Sequence, residues 1–431
     1  MNAFKFLLVR GVFPAFILSG VSGVASAGGL MLYEVGQEGA GLANAGAAVL
    51  TTDPSIQMNN PAGLTELSGT QVNLNGQLLL GAINFSRDGD NSFDGNEGGN
   101  ALKYFPSSSF FISHQLDDRA SIGFSIVGNF GMALNYDDDW AGRYFTQKAS
   151  IIGVAFQPTF SYKLTDNLSF GFGPRIMVGR YATNVAINNN PLGLRDHDDG
   201  QLKYRAHDWG SGGTVGVFYH LDDRTKLGIS YVSQIKLKFS DEPDLHGVSN
   251  PILAAALRRV NADELDVDMK IPQLALASIS HQLDDQWTLL GSVGWQDWSE
   301  FGKLGVEIDG NPDGSSVSRQ IDRQYKDTWH ASIGAQNQMS RKLRINMGIA
   351  YDSSMVDDED RTVDVPVGEA WRFATGLNYK VDESMAFNLN YTLIWMGGMS
   401  VEQSKRSGQT LSGDYKRAAI HVLGGGATWR F

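Results

Sequence analysis

Apolar and polar residues alternate along most of this chain. Leu343, Ile345, Met347, Ile349 and Tyr351 are apolar, with Arg344, Asn346, Gly348, Ala350 and Asp352 between them. Met385, Phe387, Leu389, Tyr391, Leu393 and Trp395 repeat the pattern against Ser384, Ala386, Asn388, Asn390 and Thr392. Ile122, Phe124 and Ile126 do so against Ser121, Gly123 and Ser125. Successive side chains on a strand point to opposite faces, so each segment has one apolar face and one small or polar face. Six short polar turns break the alternation: Leu116-Asp117-Asp118-Arg119, Leu164-Thr165-Asp166-Asn167, Leu221-Asp222-Asp223-Arg224, Leu283-Asp284-Asp285-Gln286, Met339-Ser340-Arg341-Lys342 and Val381-Asp382-Glu383-Ser384. Their starts lie 48, 57, 62, 56 and 42 residues apart, which holds two long strands and one long loop per repeat. Tight turns on one side and long loops on the other predict a transmembrane β-barrel.

A soluble β-sandwich would alternate as well. Two features favour a membrane. The faces opposite the apolar ones are small and polar, as a lumen is. Aromatic residues gather near strand ends (Trp287, Trp295, Trp298, Tyr391, Trp395, Trp429, Phe431), as interfacial girdles do. No later segment has the length of apolar sequence that a helical span needs. Six turns joining strands in pairs, with one further strand at each end, predict an all-β fold of 14 antiparallel strands. The first runs from about Thr70 to Ser86 and the last from Tyr415 to Phe431. The long outer loops fall roughly at Arg87–Lys103, Leu134–Lys148, Ala186–Leu202, Asp241–Glu264, Glu300–Arg323, Val356–Val365 and Val401–Asp414.

The ends of the chain fit this reading. Residues 1–27 have the build of a secretory signal: Lys5 and Arg10 at the start, an apolar stretch from Val12 to Leu18, and Ala25-Ser26-Ala27 as a small-residue cleavage site. The mature chain would begin at Gly28. At the other end Phe431 is in phase with Trp429 and Ala427, and a terminal aromatic on an amphipathic strand resembles the assembly signal of bacterial outer-membrane barrels.

The three expected regions are thus a signal peptide (1–27), a segment at 28–69 and the barrel (70–431). The middle segment is rich in glycine and alanine and contains Asp53-Pro54 and Asn60-Pro61-Ala62-Gly63. It is too short for a core of its own. A ring of 14 strands is wide enough to leave a pore unless something fills it. The economical reading is a plug folded inside the barrel.

These features together resemble the FadL family of outer-membrane transporters, which carry long-chain fatty acids and other hydrophobic compounds. The likeness rests on Asn60-Pro61-Ala62-Gly63 before the first strand, on Asn129-Phe130-Gly131-Met132-Ala133, on Phe170-Gly171-Phe172-Gly173 with Arg180, and on Tyr325-Lys326-Asp327 with Gly348-Ile349-Ala350-Tyr351-Asp352-Ser353-Ser354, and it extends to the terminal Phe431. The resemblance implies ligand capture at the outer loops. The fourth loop offers a candidate helix starting at Pro251, with Ile252, Leu253 and Leu257 on one side. It also implies a tighter pocket beside the plug, closed by the mature N-terminus at Gly28, Gly29 and Leu30, with Arg180 and Lys326 as cations for a ligand carboxylate. Strict alternation would put Arg180 outside; a bulge at Pro174 would turn it inward, and without one Arg175 is the inward cation. For Lys326 the competing reading is an ion pair with Asp322 or Asp327. Gly128-Asn129-Phe130-Gly131 interrupts a clean alternation, and in the family such a kink opens the wall so that substrate leaves sideways into the membrane. A simple barrel-corner bulge is the alternative. Transport would be passive, with the N-terminus as gate.

Other chemistry finds little support. The chain has no cysteine, so neither disulfides nor thiolate metal sites arise. The 8 histidines form no metal-like spacing, and no nucleophile constellation suggests an enzyme. No cofactor is expected. A net charge of -12 without basic clusters argues against nucleic acid. Expected partners are a hydrophobic small molecule such as a long-chain fatty acid, outer-membrane lipid and lipopolysaccharide, and the barrel assembly machinery, with the protein a monomer. The competing functional readings are a hydrophilic diffusion porin, an exporter of lipid-derived compounds, or a structural or adhesive barrel.

Overall fold

The computed structural model describes residues 30–89, 91–189, 198–249, 264–309, 317–404 and 409–431. The expected signal peptide, Gly28 and the candidate loop helix with Ile252, Leu253 and Leu257 lie outside them. Fourteen strands form one antiparallel ring: β1 (Thr70–Ala82), β2 (Tyr104–Gln115), β3 (Ala120–Asn135), β4 (Lys148–Lys163), β5 (Leu168–Ile187), β6 (Gly200–His220), β7 (Thr225–Val232), β8 (Leu274–Gln282), β9 (Trp287–Gln296), β10 (Thr328–Gln338), β11 (Leu343–Asp352), β12 (Ala370–Lys380), β13 (Met385–Ser404) and β14 (Thr410–Arg430). The ring closes where β14 pairs with β1, from Gln71 opposite Arg430 to Ala82 opposite Ala419.

All six predicted turns join consecutive strands. Their recurring aspartate has a physical cause: in a tight turn the backbone N–H groups two and three residues on need an acceptor, and a carboxylate supplies one. Asp117 Oδ1 accepts from the N–H of Arg119 and Ala120, both at 2.8 Å, and Asp284 Oδ1 does the same for Gln286 and Trp287. The outward faces are apolar and exposed, as with Phe170, Phe172 and Ile176 on β5 or Ile333 on β10. A closed ring leaves no unpaired edge for lipid to meet.

Two expectations need correction above the ring. The fourth and fifth outer segments begin just after Val232 and Gln296, earlier than the pattern suggested. Strands Ile235–Asp241, Glu264–Ile271, Lys303–Asp309 and Val317–Asp322 form a separate antiparallel sheet. Ile235, Leu237 and Phe239 alternate as a wall strand would, which hid the departure. They are buried against the lumen side of β5 and β6, where Gly179 and Gly210 leave room for them. Trp298 is likewise no girdle residue. It starts a short helix (Trp298–Phe301), is wholly buried, and stacks on Phe130 with ring centres 6.3 Å apart.

Residues 30–69 lie inside the ring. They touch β3 at Gly123, β6 at Gly216, β9 at Leu290, β11 at Gly348 and β14 at Gly424. A segment of this length can reach strands all round a closed ring only from within. Contacts are close: a Cβ on Gly348 would stand 2.0 Å from the Leu42 carbonyl oxygen. The bed is polar at the level of Asn73, Asn75, Ser109, Gln157 and Asn390, all buried. Towards the outer loops it becomes apolar. There one continuous cluster joins Leu30, Met31 and Leu32 to Phe130, Trp298, Phe301, Leu237 and Phe239.

Candidate functional site

At one place among the described residues two neighbouring strands of the ring part and do not pair again, although both continue. The ladder of β2 with β3 runs from Gln115 opposite Ser121 to Ser109 opposite Val127, and stops. β2 stays paired with β1 as far as Tyr104, and β3 stays paired with β4 as far as Asn135. At the stop, β3 carries a bulge: its register on β4 shifts by one between Val127 and Phe130, so Gly128 and Asn129 together face the single residue Val154. Gly131 has φ +149, and a Cβ there would stand 2.4 Å from the Ile151 carbonyl oxygen. Only glycine fits, and it lets β3 swing away from β2. What still spans the opening is a weak bond from Ser107 Oγ to the Gly128 carbonyl, 3.4 Å, and one from the Asn135 N–H to the Ala101 carbonyl, 2.9 Å. Leu78 and Leu80 beside it are exposed on the outer face, so the opening faces lipid.

The vacated edge of β3 is occupied from inside. Leu30, Met31 and Leu32 add to it as a short antiparallel strand, with Met31 opposite Phe130. The Leu32 N–H donates to the Asn129 carbonyl at 2.8 Å, and the Gly131 N–H to the Leu30 carbonyl at 2.9 Å. An exposed strand edge attracts any chain that can pair with it. Here the N-terminal arm takes the place that β2 gives up.

Immediately after the arm, charged groups anchor the chain to the opposite wall. Arg372 on β12 is wholly buried and donates from Nη1 to both oxygens of Glu34, at 2.5 and 2.7 Å. Its Nε donates to Asp352 Oδ2 on β11 at 2.6 Å. His330 Nδ1 on β10 lies 2.8 Å from the other Asp352 oxygen. The Tyr33 ring lies over the Arg372 guanidinium at 5.0 Å. Glu38, one turn further on, is held by Arg344 at 2.7 and 2.9 Å and by Asn346 at 3.0 Å. The Asn60-Pro61-Ala62-Gly63 motif fixes the far end of the plug. Asn60 Oδ1 caps the Pro61–Glu66 turn by accepting from the Ala62 N–H at 3.1 Å, and Nδ2 donates to the Ala48 and Val217 carbonyls.

A cavity of about 30 Å³ lies between arm, plug and wall, lined by Met31, Leu32, Met58, Leu276, Asn44 and Arg175 among others. Both candidate ligand cations miss it. Arg180 is exposed on the outer face of β5. Pro174 lies opposite Pro158, so two missing donors open the β4–β5 ladder locally. The register is nevertheless the same on either side, with Phe156 opposite Ile176 and Phe160 opposite Phe172. Without a shift the alternation persists, and Arg175 is the inward cation, donating from Nη2 to Asn129 Oδ1 at 2.8 Å. Lys326 is exposed above the ring and paired with Asp357, neither of the partners that its sequence neighbourhood offered. Leu30 and the Gly128–Gly131 kink do meet, at the opening. The Glu34–Arg372–Asp352 cluster escaped sequence reading, although arginine in the inward phase of a wall strand was its available sign.

Comparison with known proteins decides the relationship. Residues 18–431 match the sequence profile of the outer membrane protein transport family (OMPP1/FadL/TodX). The chain belongs to this family. It is 24% identical to outer membrane protein P1 of Haemophilus influenzae, over 86% of this chain and 87% of that one. It is 21% identical to a long-chain fatty acid transport protein of Escherichia coli, over 90% and 91%. The fold is similar to the crystal structure of a Pseudomonas aeruginosa FadL homologue, with a TM-score of 0.84 at 21% identity, covering 94% of this chain and 100% of the other. It is also similar to the Ralstonia pickettii toluene transporter TbuX, with a TM-score of 0.67 at 16% identity, over 93% and 99%. The protein is thus an outer-membrane β-barrel of a family that transports hydrophobic compounds.

Proposed function

We propose that this FadL-family barrel is a gated, passive channel for uptake of long-chain fatty acids or similar hydrophobic compounds. Substrate collects among the apolar outer segments, moves to the pocket beside the plug, and leaves sideways between β2 and β3 when the N-terminal arm withdraws. The arm's pairing to the free edge of β3 carries this reading, because two backbone bonds are all the ladder it breaks on leaving. The physics suits the cargo. A hydrophobic solute gains roughly 25 cal/mol for each Å² it removes from water, so a path from apolar cluster to lipid keeps it downhill without re-entering water. An aqueous porin reading fits poorly with a lumen bridged by hydrogen bonds that Glu38 accepts from the wall and that Asn60 and Gln77 donate across it. No step in this scheme requires bond-making chemistry or a cofactor. We further propose that the barrel works as a monomer in lipid and lipopolysaccharide, and that its terminal Phe431 is read by the barrel assembly machinery.

The test fills the opening. A Cβ on Gly128 would have nothing nearer than Ser107 Oγ at 3.7 Å and Val154 Cγ2 at 3.9 Å. Gly128→Trp should therefore leave a folded, heat-resistant barrel while abolishing labelled-oleate uptake by cells that depend on this protein. Normal uptake in that variant would refute lateral release.

A further inference from the structure

Several cations of the outer loops are held by carboxylates: Arg143 by Asp199, Lys270 and Lys303 by Glu300, Lys326 by Asp357. Four cations on the outside of the ring are not. Arg180 on β5, Lys203 and Arg205 on β6 and Lys148 on β4 make no ion pair and no side-chain hydrogen bond among the described residues. Strand register gathers them on one face. Arg180 lies opposite His207, Asn184 opposite Lys203, and Lys148 opposite Asn184. Lys203, Arg205 and His207 follow one another in the outward phase of β6, with Tyr204 and Ala206 buried between them. Same-face neighbours stand about 7 Å apart along a strand and adjacent strands about 5 Å apart, which gives a patch of about 10 by 13 Å. The nearby acids are turned elsewhere. Asp208, next on β6, is in the inward phase and accepts from the Lys238 N–H at 2.6 Å. Asp244, opposite Lys203, is paired with His246 at 2.6 Å. In a chain with 47 Asp and Glu against 35 Lys and Arg, a patch of unpaired cations is not what average composition gives.

The height of the patch identifies what lies against it. From Phe170 to Arg180 the chain climbs about 25 Å, at about 3.3 Å per residue and a tilt of about 35–45°, which is the height of the apolar band of such a barrel. The outward residues below it, Phe170, Phe172, Ile176, Val215 and Trp209, are apolar and exposed, and Trp209, just beneath His207, is 62% exposed. The cations begin where the hydrocarbon ends, on the loop side of the ring. We infer that this patch docks the phosphorylated head of a lipopolysaccharide molecule. It gives the lipid surroundings proposed above a definite contact on the wall and rests on that placement of the barrel. Lipopolysaccharide carries its phosphates directly above its acyl chains, so one molecule meets both halves of this face. Its chains lie along the apolar residues and its phosphates reach the cations, a match that free phosphate cannot make. Arg180 and Arg205 each offer a fork for two parallel N–H···O bonds to phosphate oxygens, and Lys148 and Lys203 add point charges at the upper rim.

The experiment measures binding of fluorescent lipid A, the phosphorylated anchor of lipopolysaccharide, to the purified barrel in detergent. A cation near an anionic lipid surface is worth about a fivefold change in affinity. The triple variant Arg180→Gln, Lys203→Gln, Arg205→Gln should therefore bind lipid A about a hundredfold more weakly while remaining a folded, heat-resistant barrel. The double variant Arg180→Lys, Arg205→Lys should fall between the two, because its charges remain and the paired N–H bonds do not. Lipid A stripped of its phosphates should bind wild type weakly and the triple variant no worse. Undiminished lipid A binding in the folded triple variant would overturn the site. So would equal binding of phosphorylated and phosphate-free lipid A, a comparison read on wild type alone. Displacement of lipid A by inorganic phosphate at equal concentration would make the patch a free-phosphate site and overturn the lipid as its occupant. Failure on any of these counts leaves the uptake route standing, since labelled-oleate uptake tests that route separately.

Discussion

Stripping water from a guanidinium is expensive, so the wholly buried Arg372 between Glu34 and Asp352 says where the plug must not slip. Glu34 follows directly on the arm that closes the opening. Leu30, Met31 and Leu32 are held by backbone bonds and apolar contact, which are easily remade; Glu34 itself is held by charge in a dry site. In the proposed route the anchor is the hinge about which the arm withdraws. Glu34→Gln keeps the shape and removes the charge that faces Arg372. The docking of the arm should weaken by up to about 3 kcal/mol. Amide exchange at residues 30–36 should then rise well above that of the Asn60–Gly63 region, which has its own staple. Unchanged exchange at the arm would show that Glu34 is not the hinge.

At the level of elements, the short helix Trp298–Phe301 covers the kink from the loop side, with Trp298 and Phe301 packed on Phe130. Glu300 ties that helix to the accessory sheet. Hydrogen bonds from Lys270 and then Lys303, at 2.5 and 2.7 Å, hold its carboxyl down at about 2, below its ordinary 4.5. A depressed carboxyl stabilises the fold when ionised. This contribution is complete above about 4.5 and is lost as pH falls through about 2. Exchange in the segment 297–305, corrected for intrinsic rates, should rise on acidification into that window, and Glu300→Gln should show the same loosening at neutral pH. Wild-type and variant exchange that agree at neutral pH would contradict it. The ring itself was legible because period-two alternation and repeating turns are local signals. The accessory sheet was not, since Ile235, Leu237 and Phe239 carry the same alternation whether they face lipid or a lumen. Pro174 misled in a related way. A proline in a strand signals a missing bond, but only the partner strand, with Pro158 opposite, tells whether the register shifts. The kink at Gly128–Gly131 was legible as a break in pattern. Its occupant, the arm, was expected at the pocket from family likeness, and no local signal reveals that Leu30–Leu32 pairs with β3.

Over the whole molecule the division of labour is spatial. The tight-turn half of the lumen is polar and grips the plug through Glu38, Asn60 and the close approaches of glycines. The outer half is apolar and continuous from the accessory sheet to the arm. The opening between β2 and β3 sits where these halves meet, beside Arg175 and Asn129. Uptake should then depend on one movable contact. The chain has no native cysteine, so a single engineered pair gives an unambiguous lock. Met31 and Phe130 face each other across a non-hydrogen-bonded antiparallel pair, a spacing of about 4.5 Å between Cα atoms that a disulfide can span. In the Met31→Cys, Phe130→Cys double variant, oxidised protein should fail to take up labelled oleate, and reductant should restore uptake in the same cells. Full uptake with the disulfide formed would contradict a gate at the N-terminal arm.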